Sequence, residues 1–134
     1  MINRQVNCYW LMVLNLLPYQ LLTNNLKSII VKKFPASEKF DIVSNMKRAS
    51  RSPTRNIAEV YGRYHFQENI QFCRQGRGSL FELIDDLITA KDEGYILEEE
   101  YVEARTKIDT ALRLLNGYIN YLERAKKQQL TNNQ

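Results

Sequence analysis

Six cations, Lys47, Arg48, Arg51, Arg55, Arg63 and Arg74, fall close together along the chain. Exposed cations gathered on one surface can contact phosphates, and phosphate binding needs little else. Tyr61, Tyr64 and Phe66 flank Arg63, and aromatic rings beside a cation can stack on unpaired bases. The pattern therefore points to nucleic-acid contact, RNA or DNA. An ordinary basic face used for subunit contact would look the same.

Catalytic chemistry finds less support. The one histidine, His65, excludes a di-iron bundle, which needs two Glu-x-x-His helices. It reads instead as a helix-start or loop residue. Helical-bundle ribonucleases place a histidine several residues after an arginine; here Arg63 is too near His65 and Arg55 too far. Glu82, Asp85 and Asp86 share about one helical turn and could hold Mg²⁺, which makes a metal-dependent nuclease using Glu82 and Asp86 a third reading. A solvated acidic face is the simpler account. The run Gly76–Ser79, GRGS, lacks a P-loop lysine. No Ser-His or Cys-His arrangement emerges, so the expectation is a protein without catalytic residues, metal or cofactor. Cys8 and Cys73 form no C-x-x-C and read as reduced buried thiols, which suits the cytoplasm.

The elements that carry these residues are helical. The chain has 134 residues, 44% hydrophobic and 25% charged, with five glycines and three prolines. That length suits one domain, and that composition suits long helices with short links. Apolar periodicity predicts four helical segments. The first covers 15–33 and stops at Pro35. The second starts near Ser37 as N-cap and runs to Tyr61, with Gly62 as its stop. The third runs from Phe66 to Glu93, with Gly94 just beyond its end. The fourth starts among Glu98, Glu99 and Glu100, whose charges favour a helix N-terminus, and continues to Lys127. Residues 128–134 read as a frayed tail. Residues 8–22 are too short and too interrupted for a membrane span and read as core helix or an irregular lead-in, and residues 1–17 read as an irregular extension or a misassigned start. In the fourth segment Tyr101, Ala104, Ile108, Ala111, Leu115, Tyr118 and Leu122 form a narrow apolar seam. Short links make neighbouring helices antiparallel, hence an all-α, antiparallel up-down four-helix bundle.

Within the second segment a proline stands among arginines. At about 100° per residue, Ile42, Met46, Ala49, Pro53, Ile57 and Val60 share roughly 80° of arc. Pro53 then packs as an apolar group on the core face and kinks the helix without breaking it, with Ser50 placed to meet the carbonyl it frees at Ala49. Arg48, Arg51 and Arg55 project together from the opposite face. In the third segment Arg77 falls on the apolar stripe between Gly76 and Gly78, which let another backbone approach. A cation there needs a partner. The expected one is a polar cluster of Asn56, Glu59, Arg77 and Glu82; otherwise Arg77 points into an oligomer interface.

The runs MKRASRSPTRNIAEVYGR and ENIQFCRQGRGSLFELIDDLITAKDEGYI resemble the small four-helix-bundle proteins encoded in intervening sequences of bacterial 23S ribosomal RNA genes. Arg48 and Ala49 match that family's Arg-Ala pair. Ser52, Asn56, Ile57, Ala58 and Glu59 match its core motif, and Gly78, Ser79, Glu82, Leu83, Gly94 and Tyr95 match its later helix. The resemblance spans residues 34–122. Pro53 stands one residue early, Thr54 occupies the family's proline position, and Val60 replaces a glycine. The resemblance implies a left-handed bundle that assembles into a homo-oligomeric ring, a pentamer. More distantly the chain is similar to the accessory variability proteins of diversity-generating retroelements, which bind nucleic acid and a reverse transcriptase.

Charge is segregated along the chain. Residues 27–77 hold eleven Lys/Arg against four Asp/Glu, while residues 82–103 hold nine Asp/Glu and one lysine. Such a dipole suits an anionic partner or association of unlike patches between copies. The leading reading is a non-enzymatic oligomeric adaptor that binds nucleic acid or a nucleoprotein through the second segment. The alternatives are a structural ring with no nucleic-acid role, or an accessory subunit of a reverse transcriptase.

Overall fold

A computed structural model describes residues 33–61 and 65–132. Helices α1 (Ile42–Tyr61), α2 (Phe66–Asp92) and α3 (Glu98–Asn132) follow a 3-10 turn over Ala36–Phe40. They correspond to the second, third and fourth segments expected from periodicity; the first lies outside the described residues apart from Lys33, as does Gly62. Helix α2 is the middle element and packs on both α1 and α3. The register is antiparallel on both sides. Arg48 meets Glu82 and Ser52 meets Ser79 across α1 and α2. Gln67 pairs with Lys126, and Lys91 with Glu98, across α2 and α3. Among the described residues no helix is long and apolar enough to cross a membrane.

The second segment begins later than expected. Pro35 opens the 3-10 turn, where Glu38 N–H bonds to the Pro35 carbonyl, and Ser37 lies inside that turn. Asp41 breaks the run with φ −110° and ψ −103°. Its carbonyl then accepts the Asn45 N–H and starts α1. Three contacts hold the turn to the α2–α3 corner. Lys33 pairs with Glu100 at 2.5 Å, the Phe34 and Tyr95 rings lie 4.9 Å apart, and the Tyr95 hydroxyl donates to Glu38 at 3.3 Å.

Helix α1 passes through Pro53 without a break. Met46, Ala49, Pro53, Ile57 and Val60 are all buried, joined by Val43; Ile42 is half-buried. Pro53 thus packs as an apolar group. The Ser50 hydroxyl, expected at the Ala49 carbonyl, donates to the Lys47 carbonyl at 3.1 Å.

The α2–α3 corner follows its sequence signals. Gly94 adopts φ +73°. Gly94 N–H bonds to the Lys91 carbonyl at 2.9 Å and Tyr95 N–H to the Ala90 carbonyl at 2.8 Å, a Schellman closure. A Cβ is strained at that φ, so Gly94→Ala is expected to lose about 1 kcal/mol in urea unfolding. Glu100 then reaches back to the Leu97 N–H at 2.9 Å, the return half of a capping box. That bond and Lys33 hold the Glu100 carboxyl below its ordinary pKa. In α3 the expected seam is buried, with Tyr101 half-buried, and Leu112 and Ile119 add a second row. The helix runs on through Gln128 to Asn132, where a frayed tail was expected, because no glycine or proline stops it.

Candidate functional site

Lys47, Arg48, Arg51 and Arg55 line one groove of about 640 Å³ along α1. Ser44, Ser52, Asn56 and Glu59 share it, and Phe72 closes one side from α2. The helix that buries Pro53 on one face carries this groove on another. Arg48, Arg51 and Arg55 are exposed, as their phase implied, and Lys47 is half-buried. Among the described residues, Lys47, Arg51 and Arg55 form no ion pair, and Arg48 reaches Glu82 only at 3.6 Å with both groups largely solvated. An exposed pair of that length contributes little. These guanidinium groups are therefore available to an anion.

Beneath the cations lies a small hydrogen-bonded floor. The Asn56 amide nitrogen donates to the Ser52 carbonyl at 2.9 Å and to the Ser52 hydroxyl at 3.0 Å. Ser79 Oγ donates to Ser52 Oγ at 2.7 Å and locks α1 to α2. Residue 76 has room for little more than a methyl here: a Cβ would lie in ordinary contact, 3.4 Å from Pro53 Cα and 3.7 Å from Asn56 Cβ. Gly78, expected to let another backbone approach, faces open space.

The expected polar cluster of Asn56, Glu59, Arg77 and Glu82 is divided. Asn56 and Glu59 line the α1 groove, and Glu82 lies against Arg48. Arg77 turns the other way and donates to Asn116 on α3 at 3.0 Å. Gly76, not Arg77, is the buried residue of the pair, which leaves the guanidinium at the half-buried flank of α2 beside an amide that satisfies it. Arg74 also leaves the expected set. It lies on the α3 side of α2 and pairs with Glu123 at 3.0 Å. Arg63, Tyr64 and the Tyr61 side chain lie outside the described residues. Phe66 is half-buried against the core. His65 occupies the N-cap position of α2 and is exposed.

Phe72 was absent from the sequence-based set. The stripe through Phe66, Ile70, Cys73, Leu80, Ile84 and Leu87 marks one side of α2, whereas Phe72, Gly76 and Ser79 mark the side toward α1. The signal available was their three- and four-residue spacing around Gly76.

The acidic side has its own signature. Partial burial, then Asp85 and Glu82, push the Asp86 carboxyl up to about 6, with Arg48 pulling it back. The folded chain thus holds a proton that the unfolded chain releases between about pH 4 and 6. Stability falls as pH rises through that window. Asp86→Asn is expected to stabilise the protein at pH 8, by on the order of 1 kcal/mol after solvent screening, and to change nothing at pH 3.5; thermal melts at both pH values read the difference. Among the described residues no three metal-ligating groups cluster. Burial drives the Cys73 thiol up to about 12, so this cysteine is unreactive near neutral pH.

No curated protein matches the chain. The 23S rRNA-intervening sequence protein family matches residues 19–117, further toward the N-terminus than the motifs alone reach. The motif residues Ser52 and Ser79 join α1 to α2 by a hydrogen bond, and the motif residue Asn56 holds Ser52 from within α1. With the match covering well over half of its length, the chain belongs to the 23S rRNA-intervening sequence protein family.

Proposed function

We propose that this protein is a non-enzymatic, oligomeric helical adaptor that binds nucleic acid, or a nucleoprotein partner, through the basic groove of α1. In this reading α1, α2 and α3 are three members of a left-handed, antiparallel up-down four-helix bundle working in the cytoplasm without a cofactor. The observation that carries it is the gathering of Lys47, Arg48, Arg51 and Arg55 on one groove, three of them without ion-pair partners among the described residues. Phosphate contacts release counterions, so four such contacts give a slope of log K against log salt between about −2.8 and about −3.6. Repetition of the groove around a ring, a pentamer by family resemblance, multiplies weak contacts. A binding titration of a labelled oligonucleotide across a salt series tests this. A flat profile, or no binding at low salt, sinks it.

A second reading has one observation in its favour. Exposed Phe81, Leu97 and Val102 accompany the acidic 82–103 stretch. A head-to-tail contact could set that stretch against the α1 cations of another copy, forming a ring with no nucleic-acid role. Sedimentation then shows an assembly that those apolar side chains hold together at high salt, in a protein that binds no oligonucleotide. A reverse transcriptase as partner belongs to the first reading, because such an enzyme brings nucleic acid with it.

A further inference from the structure

We infer that the α1 groove takes up a proton together with its nucleic acid: a phosphate on Arg48 is coupled to protonation of Asp86, so affinity rises as the medium turns acid. The inference rests on the reading of α1 as a nucleic-acid surface and names what regulates that surface.

One end of the groove is crowded with carboxylates. Helices α1 and α2 run antiparallel, with Arg48 against Glu82 and Ser52 against Ser79. Asp86, one turn beyond Glu82, therefore lies toward the first turn of α1, at the Ser44 end of the groove. Asp41 heads that turn, its carbonyl accepting the Asn45 N–H, and Asp85 adjoins Asp86 on α2. Four carboxylates thus face two cations here, Lys47 and Arg48. Of these, Arg48 alone reaches a carboxylate, that of Glu82 at 3.6 Å. Arg51 and Arg55 lie about one and two turns further along α1, away from the acids. The other charges nearby are engaged elsewhere. Glu38 accepts from the Tyr95 hydroxyl, and Lys39 lies 5.6 Å over the Phe40 ring. Lys91, the next cation along α2, pairs with Glu98 and lies over the Tyr101 ring.

That arrangement sets phosphate and carboxylate in competition for one guanidinium. A phosphate on Arg48 takes the countercharge that the acids share and adds its own negative charge beside them. The carboxylate least supported by water gives way. Glu82 and Asp85 are exposed, whereas Asp86 is half-buried. Burial, then Asp85 and Glu82, already push the Asp86 carboxyl up to about 6 against the pull of Arg48. A phosphate that offsets this pull pushes it higher still. A group whose proton affinity rises on binding takes up a proton, and by reciprocity the ligand binds tighter once that proton is present. The gain therefore sets in as pH falls toward 6 and is nearly complete about one pH unit below it. Two unit charges about 4 Å apart in water are coupled about fivefold, which sets the size of the effect.

Fluorescence anisotropy on the full chain tests this with a labelled oligothymidylate, whose phosphodiesters and bases keep their charge throughout, at about 50 mM salt and between about pH 5.0 and 7.5. The wild type is expected to bind about fourfold tighter at the acid end than at the alkaline end. Asp86→Asn carries no charge at either pH. It is expected to bind at both as the wild type binds at the acid end. Histidine is the other side-chain type that titrates in this window, and the chain has one, His65. His65→Gln is therefore expected to keep the fourfold change. The inference falls if Asp86→Asn keeps the change, or if His65→Gln loses it. The wild-type and His65 arms stand even if the Asp86 variant misfolds. Intact binding with a flat pH profile in the wild type overturns this inference alone. If nothing binds at any pH, or if Arg51→Glu with Arg55→Glu binds as the wild type does, the basic-groove reading itself has failed, and this inference with it.

Discussion

The triple variant Arg48→Glu, Arg51→Glu, Arg55→Glu is expected to lose nucleic-acid binding by more than about a hundredfold at 50 mM salt, while its unfolding midpoint barely moves. Each substitution removes one phosphate contact and its share of the salt slope, and replaces attraction with repulsion. The fold is insulated because all three side chains are exposed and point away from the Pro53 face. The single ion pair lost, Arg48 with Glu82, is long and solvated. Arg48→Glu does bring a carboxylate toward Glu82, Asp85 and Asp86. It therefore raises the proton affinity of Asp86 further and makes any destabilisation appear only above about pH 6. Arg74→Glu is the matched control. It removes the same charge as any one of the three substitutions, from the α3 side of α2, where Glu123 already occupies the guanidinium, and is expected to weaken binding less than about threefold. A loss from Arg74→Glu equal to that from a single groove substitution such as Arg51→Glu means that net charge, not the groove, does the binding. Wild-type affinity in the triple variant removes the groove from consideration.

What the sequence made legible was whatever depends on one helix at a time. The burial of Pro53 follows from its angular phase with Met46, Ala49 and Ile57, and the exposure of the arginines follows from the same count. Gly94 announces its left-handed turn because no other residue type adopts that φ as cheaply. The Glu98–Glu100 run marks the start of α3 because carboxylates favour that end. What stayed hidden depends on how two helices are rotated against each other. Arg77 and Gly76 are neighbours, and periodicity put Arg77 on the core stripe where the structure buries Gly76. The reason lies in the Pro53 backbone, which approaches too closely for any side chain larger than a methyl at residue 76. Phe72 is hidden for the same reason: its role exists only once α1 is laid across α2. The late start of α1 is a different kind of miss. A 3-10 turn and a first α-helical turn differ by one residue in hydrogen-bond reach, and a serine after a proline suits both.

Leu115→Ala is expected to cost about 4 kcal/mol, toward the upper end for a buried leucine, and the reason is the same glycine. Leu115 is 1% exposed and stands where all three helices meet. A Cβ on Gly76 would lie 3.8 Å from Leu115 Cδ2 and 3.4 Å from Pro53 Cα. Truncating Leu115 opens a void whose opposite wall includes Gly76 and the Pro53 backbone behind it. Neither has a side chain that can swing in, so the cavity stays open and the full penalty is felt. Gly76→Ala alone is expected to be near neutral or slightly stabilising. Its methyl makes ordinary contacts, and alanine is the better helix former by about 1 kcal/mol. In the Leu115→Ala background the same methyl also fills part of the void, so it is expected to recover about 1 kcal/mol more than it contributes alone. Urea unfolding of the wild type, both single variants and the double variant measures that coupling directly. Strict additivity would mean that residues 76 and 115 do not share the cavity, and that the close approach of α1, α2 and α3 at Gly76 is not what joins the groove floor to the core.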